Sequence, residues 1–450
     1  MKKIITVIYT LSFVIGAVSA QSVYDGVKIA DKDLNGTARF VGMGGAMGAL
    51  GGDITTMGTN PAGIGIYRSN DVMTSFSYSA YGMESKYEGQ KSTIDKNRWS
   101  FDNIGVVFAT KIGNQTPLRY VNFGFNYKRS KSFYKNMSMS GMMGVVENPS
   151  NPGSPYYVSQ TNSMALQATD AERYVWDNSR QHLDFDNANR IFSDPDAGWL
   201  GALGYQGGLT ERDRIDNEPD LYVPFLPVEP SSVFNSREKG GIDQYDFNVS
   251  FNINDRVYLG LTIGAYDVDY DKYSGYDESY KRGEGYSLES YNNISGSGFD
   301  VKMGLILRPF EYSPFRIGFA VHTPTFYKLT YSTSAIVTND YRDANTDELK
   351  RIIVDTYDYV GDMKRDYRLV TPWKYNVSLG YTVGTSLALG AEYEYEDYST
   401  MKFKYSSNDG GGDMEFENAE VKNCLKGEHT FRIGAEYKVI PEFAFRLGYN

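Results

Sequence analysis

Four acidic residues have the spacing of a calcium-binding loop. Positions 1, 3, 5 and 12 of such a loop supply oxygen ligands to the ion. Here they are occupied by Asp267, Asp269, Asp271 and Glu278. Lys272 stands where the loop requires a glycine for its sharp turn. The same stretch also fits a strand whose aspartates face water while the alternate tyrosine and valine side chains pack behind them. We favour the strand and predict no metal site.

The three histidines do not form a ligand set in the sequence. His182, His322 and His429 are far apart, and the last two fall on strand-like segments. A position in a loop or in a lumen is favoured over a metal site for them. A haem role, with one of them as an axial ligand, stays open as an alternative.

Two further motifs are incomplete. Gly42-Met43-Gly44 resembles the start of a dinucleotide-binding loop, but Met47 stands where that motif has its last glycine. The chain also lacks the Gly-x-Ser-x-Gly motif that positions a nucleophilic serine in many hydrolases. We therefore predict neither an enzyme nor a cofactor.

The N-terminus and the charge balance indicate an exported protein. Residues 1–20 combine a basic start, an apolar stretch from Ile4 to Val18 and small residues before Gln21, as in a cleaved signal peptide. No later run approaches the ~18 apolar residues of a membrane helix. The net charge of −11 argues against nucleic-acid binding. A membrane-spanning form of this chain would have to be a closed β-barrel.

Period-two alternation dominates the sequence after residue 70. From Tyr245 to Asn254, aromatic and aliphatic side chains alternate with polar ones, and Val257 to Tyr266 repeats the pattern. Successive side chains of a strand point to opposite faces, so each segment has an apolar and a polar face. Eleven strands are predicted, near residues 71–83, 100–111, 119–130, 242–254, 256–270, 297–308, 314–328, 367–383, 386–397, 428–439 and 442–450.

The predicted connections alternate between short and long. The short ones include Asn254-Asp255, Gly384-Thr385 and Ile440-Pro441. Short periplasmic turns and long outer loops are typical of an outer-membrane barrel, whereas a soluble sandwich has no reason to sort connections in this way. Single-chain bacterial barrels have an even number of strands, so we expect that C-terminal strands are missing from the sequence. This pattern predicts a transmembrane antiparallel β-barrel over residues 70–450, in the outer membrane of a Gram-negative bacterium.

Residues 21–69, called the hatch below, differ from the barrel. They contain a glycine-rich stretch from Arg39 to Asp53, followed by Asn60-Pro61-Ala62-Gly63. The segment is too short for a domain and too apolar for a free tail, which predicts a plug inside the lumen. Glycines and Pro61 allow tight turns and a close approach to the wall. We further hypothesise that the Asn60 side chain pins one of two hatch packings by hydrogen bonds.

A long outer loop is predicted at about residues 131–241. It contains a predicted helix near Met164–Ser179 and several apolar residues, and a loop of this length is usually functional. Two interpretations stay open: a small self-packed cap, or a landing surface for a hydrophobic ligand. The candidate ligand-contacting residues of this loop are Trp199, Leu200, Phe225 and Leu226.

The glycine-rich motif resembles the hatch of FadL/TodX-type outer-membrane transporters. The matching residues are Val41-Gly42-Met43-Gly44-Gly45-Ala46, Gly52-Asp53 and Asn60-Pro61-Ala62-Gly63. Two later stretches, Thr371 to Tyr381 and His429 to Tyr437, also resemble that family. The resemblance implies a fourteen-stranded barrel, of which about eleven strands are present here, plugged by an N-terminal hatch.

The family resemblance also implies passive transport of long-chain fatty acids or other hydrophobic compounds, without an energy source or cofactor. The Asn-Pro-Ala motif carries over to Asn60, Pro61 and Ala62. The remaining hatch candidates are Gly42, Gly44, Gly45, Gly48 and Gly63. Further candidate substrate contacts are Met43, Met47, Leu50, Arg316 and Arg432, the two arginines because a guanidinium pairs with a carboxylate through two hydrogen bonds.

Other functions remain open at this stage. The large loop would also suit a surface interaction protein that binds a partner or anchors a secretion apparatus, and uptake of haem or aromatic compounds is a further alternative. The predicted partners are the outer-membrane lipid bilayer and a hydrophobic small molecule, with no nucleic acid, and the predicted oligomeric state is a monomer. The charges expected in the lumen are predicted to pair with one another: Lys302, Arg316, Glu392, Glu394, Arg432 and Glu436.

Overall fold

Antiparallel strands form most of the structure. The computed structural model describes residues 23–146, 156–179, 181–194, 196–225, 230–440 and 443–450, so the predicted signal peptide and Leu226 lie outside the described residues. The strands are β1 (Asp71–Tyr87), β2 (Gln90–Lys111), β3 (Leu118–Ser132), β4 (Lys135–Met142), β5 (Val145–Val146), β6 (Tyr156–Tyr157), β7 (Thr210–Asp213), β8 (Leu221–Pro224), β9 (Ser231–Ile253), β10 (Val257–Ser279), β11 (Gly285–Leu307), β12 (Arg316–His322), β13 (Phe326–Arg342), β14 (Leu349–Asp355), β15 (Met363–Val370), β16 (Lys374–Val383), β17 (Leu387–Asp397), β18 (Lys402–Tyr405), β19 (Gly427–Ile440) and β20 (Phe443–Tyr449).

The main sheet follows the chain order. Its path is β1-β2-β3-β9-β10-β11-β12-β16-β17-β19-β20, and every pairing along it is antiparallel. Each of the eleven predicted strands overlaps a strand on this path, which confirms the predicted all-β antiparallel fold. Among the described residues, β1 pairs only with β2 and β20 only with β19, so the sheet has two edges.

Two of the predicted strands are broken at prolines. Pro324 separates β12 from β13, and Pro372 separates β15 from β16. A proline has no N–H to donate to a neighbouring strand, so the ladder is interrupted there. The two breaks lie side by side, because the Thr371 backbone N–H donates to the Thr325 carbonyl (3.1 Å) and the Thr325 N–H donates to the Thr371 hydroxyl (2.8 Å).

Several connections predicted to be long loops are projecting hairpins instead. β1 and β2 turn at Glu88-Gly89, where both residues have a positive φ, and β10 continues to Ser279. The prediction ended these strands where the apolar alternation ends, but polar residues on both faces continue them. The favoured strand interpretation of the acidic stretch is confirmed, because Asp267 and Asp269 are exposed on β10 while Tyr266, Val268 and Tyr270 are buried on its other face.

The two faces of the sheet have opposite character. On β10, Leu259, Leu261 and Ile263 are exposed, whereas Thr262 and Tyr258 are buried on the opposite face. Exposed aromatic and aliphatic side chains follow the same face of the other strands, among them Phe247, Phe299, Met303, Phe319, Val377, Leu379, Leu389, Phe431, Ile433 and Leu447. The polar face is therefore the inner, packed face, and the apolar face is the outer one.

The helices lie in the hatch, in the long insertion and between strands. They are α1 (Val23–Ala30), α2 (Ala38–Gly42), α3 (Gln160–Ser179), α4 (Ala188–Ser193), α5 (Trp199–Gln206), α6 (Thr356–Val360) and α7 (Glu415–Cys424). Short 3-10 helices span Ile54–Gly58, Pro61–Ile66, Lys281–Gly283, Tyr398–Thr400 and Ser407–Asp409. In the described part of the chain, no helix combines the length and the apolar character needed to cross a membrane.

The insertion between β4 and β9 folds into a cap. We use the name cap for the described residues of the range 143–230. The loop predicted at about 131–241 is longer, but its two ends are strands, because β4 pairs with the start of β9. The predicted helix is confirmed as α3. Its buried residues pack with α4 and α5 into one apolar core, which also includes Leu288 of β11 and Val337 of β13. The cap therefore rests on the projecting end of the sheet.

A buried carboxylate joins the cap to the sheet. Glu278, near the end of β10, accepts hydrogen bonds from the Ser159 hydroxyl (2.8 Å) and the Gln160 backbone N–H (3.1 Å) at the start of α3. The hydroxyls of Tyr276, Tyr280 and Tyr286 also donate to it. Burial raises the pKa of these tyrosines, and the adjacent Glu278 raises it further, so they remain protonated donors at neutral pH.

We expect Glu278→Gln to loosen the cap. The substitution removes the negative charge on which five donors converge, and a hydrogen bond to a charged group contributes about 1.5–3 kcal/mol. Limited proteolysis within residues 181–194 should become several-fold faster. The matched control is Glu289→Gln, which removes a carboxylate bonded to Tyr273 and Tyr291 on the same hairpin but away from the cap. Equal proteolysis rates for the two variants would contradict the role of Glu278.

Candidate functional site

The body of the hatch is a series of short turns held by side-chain caps. The Thr37 hydroxyl accepts from the Phe40 N–H at the start of α2 and donates to the Asp53 carboxylate (2.6 Å). Asp53 in turn accepts from the Thr55 N–H (2.9 Å) and caps the helix Ile54–Gly58. Each of these residues satisfies a backbone donor that a helix terminus leaves unpaired. These residues therefore form a series of short, mutually capped turns with little regular structure.

Glycines of the main sheet allow the hatch backbone to touch the backbone of the strands. The strands of this sheet are called the wall below. A Cβ atom at Gly390 would overlap the Ala46 carbonyl oxygen, and one at Gly434 would overlap the Met43 carbonyl oxygen. A Cβ at Gly448 would overlap the backbone of Gly44. A Cβ at Gly260 or Gly304 would likewise overlap atoms of the segment 60–62, whereas one at Gly318 or Gly380 would lie 3.0–3.2 Å from the nearest hatch atoms. A larger residue at the overlapping positions would require the hatch to shift.

Four of these glycines form a continuous row. Gly380, Gly390, Gly434 and Gly448 are register partners across β16, β17, β19 and β20. The sequence analysis missed this row. The signal was present, since each glycine stands between two apolar residues: Leu379-Gly380-Tyr381, Leu389-Gly390-Ala391, Ile433-Gly434-Ala435 and Leu447-Gly448-Tyr449.

Asn60 lies at the contact between the hatch and the middle of the wall. Its side-chain nitrogen donates to the Gly48 carbonyl oxygen (2.8 Å) and to the Leu305 carbonyl oxygen on β11 (3.4 Å). Its side-chain oxygen accepts from the Ala62 N–H (3.2 Å) at the start of the helix Pro61–Ile66. One side chain thus joins two turns of the hatch and one strand, which supports the hypothesis that Asn60 pins this packing.

The other predicted hatch residues are also at this contact. Pro61 and Ala62 lie against Gly260 and Gly304, and both are fully enclosed. Gly63 packs on Thr56, where a Cβ would be 2.6 Å from the hydroxyl oxygen. The structure therefore brings the Asn-Pro-Ala-Gly motif together with the wall.

The glycine-rich turn at residues 42–48 also lies at the contact between the hatch and the wall. Gly44 and Gly45 have φ values of +61° and +79°, which side chains rarely allow. Gly42 packs against Arg446 on β20. Gly48 donates its N–H to Glu392 on β17 (3.0 Å). A gating function of these glycines remains a prediction.

Buried charges surround this contact, and of the six residues predicted to pair with one another only Arg432, Glu392 and Glu394 do so. Arg432 donates to Glu392 (2.8 Å) and Glu394 (3.0 Å). Glu436 joins the hatch to the wall by accepting from Arg39 (3.0 Å) and from Arg446 (2.7 Å). Lys302, which is also buried, pairs with two carboxylates of the wall, Asp246 and Asp300.

Arg316 is the member of the predicted set that finds no carboxylate partner among the described residues. Its guanidinium group donates to the Leu50 carbonyl oxygen (2.7 Å), and no ion pair forms with it among the described residues. Its Nε is buried without a hydrogen-bond partner there. The prediction of mutual ion pairs was therefore wrong for Lys302 and Glu436, whose partners lie outside the predicted set. It was also wrong for Arg316, because the group facing it is a backbone carbonyl of the hatch rather than a carboxylate.

The predicted apolar ligand contacts separate into two groups. Met43, Met47 and Leu50 are buried with Phe40 and Ala388 between the hatch and the wall. Trp199 and Leu200 lie in the core of the cap, so the self-packed interpretation holds for these two residues. Phe225 is half-exposed on the cap surface.

Comparisons with known proteins supply similar solved structures. No protein-family model and no curated protein matches the chain. The toluene transporter TbuX of Ralstonia pickettii is 12% identical over 92% of this chain and 86% of its own, with a TM-score of 0.40. A FadL homologue of Pseudomonas aeruginosa is 12% identical over 93% and 80%, with a TM-score of 0.42. The toluene transporter TodX of P. putida is 11% identical over 92% and 83%, also with a TM-score of 0.42. These are proteins of the type that the hatch motif resembles.

We expect Gly390→Ala to displace the hatch. The added methyl group would occupy the space of the Ala46 carbonyl oxygen, and such overpacking typically costs about 1–3 kcal/mol. The midpoint of thermal unfolding should fall, and hatch residues should become accessible to protease. Gly412→Ala is the control, because a Cβ there has no atom within 4 Å. An unchanged stability of Gly390→Ala would show that the hatch does not depend on this contact.

Proposed function

We propose that the sheet is the wall of a barrel in the outer membrane of a Gram-negative bacterium. In this proposal the protein is a monomer that allows hydrophobic compounds, of the long-chain fatty acid class, to pass passively through a hatch-gated lumen. The proposal includes no enzymatic activity and no cofactor. It rests on the outer face of the sheet, the inner aromatic zone around α1 and the cationic group at Arg316.

The outer face supports a membrane location. On β10 the apolar outward residues run from Val257 to Ala265, and Asp267 follows on the same face. Nine residues at a rise of ~3.3 Å, tilted by ~40°, span roughly 23 Å, which is close to the height of the apolar band of outer-membrane barrels. Exposed Leu and Phe side chains along so many strands would be unfavourable in water.

One observation carries the transport proposal: a zone of apolar and aromatic side chains on the inner face is filled by the hatch helix α1. Val23, Ile29 and Ala30 of α1 are buried in it. The surrounding wall residues come from β9, β10, β11, β13, β15 and β18 and include Ile242, Tyr266, Val268, Tyr270, Ile294, Tyr327, Leu329, Tyr331, Tyr367, Leu369 and Phe403. A hydrophobic compound would find an apolar environment here if α1 moved aside.

The need for such a zone follows from the substrate. Each CH₂ group of an alkyl chain that enters water costs about 0.8 kcal/mol, so a long chain does not pass through an ordinary polar pore. Burial in an apolar zone is non-directional and accepts molecules of different shapes. The apolar zone of this inner face can therefore accommodate such a chain, whereas a water-filled pore cannot.

Arg316 supports a carboxylate-bearing substrate. It is half-buried against the hatch with only part of its donor set used, and a carboxylate would accept from the remaining donors. Arg432 is a weaker candidate, because Glu392 and Glu394 already occupy both of its terminal nitrogens. The neighbouring structures named as toluene transporters make neutral aromatic hydrocarbons the competing substrate class.

We expect Asn60→Ala to increase uptake of a labelled long-chain fatty acid into cells that have no other transporter for it. The variant loses three hydrogen bonds that hold the closed hatch, each contributing about 0.5–1.5 kcal/mol, which should raise the open population at least several-fold. Pro61→Ala should act in the same direction. Asn235→Ala is the control, since this residue lies on the projecting part of β9 and bonds to Ser138. Uptake unchanged in both hatch variants, at equal protein levels, would refute the gating role.

We also expect the purified full chain to retain its ligand. Protein extracted from native outer membranes should carry fatty acids at a level above an unrelated barrel treated identically, as measured by mass spectrometry. Arg316→Gln should reduce that enrichment. An enriched neutral aromatic compound that is insensitive to Arg316→Gln would reassign the substrate class, and no enrichment at all would count against the transport proposal.

A further inference from the structure

Three side chains with metal-binding groups meet in the cap, away from the hatch. Glu172 lies on α3, His182 follows that helix, and Asp220 precedes β8. One donor atom from each residue lies within 4.8 Å of the other two. The sequence analysis considered only the separation between histidines and therefore missed the two carboxylates that the fold brings to His182.

The distances between the donor atoms are those of a ligand set that needs only a small adjustment. His182 Nδ1 is 2.5 Å from Glu172 Oε1 and 3.7 Å from an Asp220 carboxylate oxygen. Ligands at ~2.0–2.2 Å from a tetrahedral ion would be roughly 3.3–3.6 Å apart. A cation placed between these three atoms would therefore require the His182 and Glu172 donor atoms to separate by roughly 1 Å.

Burial makes the pair of carboxylates costly without a cation. Glu172 is fully buried and Asp220 nearly so, whereas the ring of His182 reaches the surface. The second Glu172 oxygen accepts from the Leu183 N–H (3.0 Å), which orients the carboxylate toward the histidine. An isolated buried carboxylate is strongly disfavoured, so two of them close together indicate a positive partner.

Arg212 compensates the charge of Asp220 only in part. Its Nε is 3.8 Å from Asp220, which is long for a charge-assisted hydrogen bond, while its Nη2 contacts the exposed Asp186. The Asp220 carboxylate therefore keeps an oxygen that can bind a metal ion. Among the described residues, Arg212 and His182 are the only cationic groups in ion-pair distance of this carboxylate.

A second, independent feature at the cluster is a buried hydroxyl without a partner. Tyr222 is 5% exposed, and its hydroxyl makes no hydrogen bond among the described residues. Tyr222 stands two residues after Asp220, on β8, so its hydroxyl offers a hydrogen-bonding group to a water molecule bound to the ion.

We propose that Glu172, His182 and Asp220 bind a divalent transition-metal ion of the Zn²⁺ class. The imidazole nitrogen favours such an ion over Ca²⁺ or Mg²⁺, which prefer oxygen ligands alone. With three protein ligands, the coordination is completed by water. The ion would hold the segment after α3 and the segment before β8 against α3. Its effect would be on the cap, so the metal site does not depend on the proposed transport.

The test is metal titration of the purified full chain, without a histidine tag and after treatment with a chelator. Calorimetry with ZnCl₂ should give one saturable site, whereas CaCl₂ and MgCl₂ should bind at least tenfold more weakly. His182→Gln and Asp220→Asn should each weaken Zn²⁺ binding at least tenfold. Asp184→Asn is the matched control, because it removes a carboxylate two residues from His182 that pairs with Arg190 instead.

Further readouts separate the metal site from a folding effect. Zn²⁺ should slow proteolysis of the cap in the wild type and in Asp184→Asn, but not in His182→Gln, whose surface-reaching side chain makes a folding defect a small risk. Co²⁺ should give the visible spectrum of a site with nitrogen and oxygen ligands. The proposal is overturned if no saturable Zn²⁺ binding occurs, or if binding is the same in His182→Gln and Asp220→Asn as in the wild type.

Discussion

The structure depends on direct contact between two backbones. Residues 43–62 of the hatch lie on inner-face glycines of the wall so closely that a single methyl group at Gly390, Gly434 or Gly448 would overlap hatch backbone atoms. Such contact brings peptide groups of the hatch next to peptide groups of the strands, without side chains between them. The glycine row therefore sets how closely residues 43–50 of the hatch approach the sheet.

Buried charges make that position specific. Glu392 accepts from the Gly48 N–H of the hatch and from Arg432 of the wall, and Glu436 accepts from Arg39 of the hatch and Arg446 of the wall. A buried carboxylate that lost one of these donors would keep its desolvation cost without full compensation. The hatch therefore has few alternative positions at this level. Contact with the flat glycine surfaces alone would not exclude a hatch that is rotated relative to the wall.

The alternation of the strands was visible in the sequence because the two faces differ in chemistry. Where both faces become polar, as after Tyr270 on β10, the pattern disappears and the predicted strands ended too early. The hatch motif indicated a plug, and the structure places its glycines and Asn60 at the wall. The partners of Arg39 and Arg316 were not predictable, because the sequence carries no signal for which backbone carbonyl or carboxylate a folded plug presents to them.

The cap shows a second limit of sequence reasoning. Apolar content at Trp199 and Leu200 suited a ligand surface and a core equally well, since composition does not reveal which residues cover each other. Likewise, Glu172, His182 and Asp220 are separated by enough chain that only the folded cap brings them together. Long-range packing decides both cases, and no local pattern encodes it.

The two parts of the hatch differ in how they can move. The body, from α2 to Ile66, is held by directional bonds to the wall, and an apolar molecule cannot replace any of them. Helix α1 is held by apolar packing and by Lys28, which donates to Glu238 (2.8 Å) and to the Tyr270 hydroxyl (2.7 Å). A partly exposed ion pair of this kind typically contributes ≲1 kcal/mol. A hydrophobic compound can substitute for apolar packing at little net cost, because that interaction has no preferred direction. In the proposed transport cycle α1 is therefore the element that a ligand displaces first, and the body follows only when its hydrogen bonds to the wall are broken.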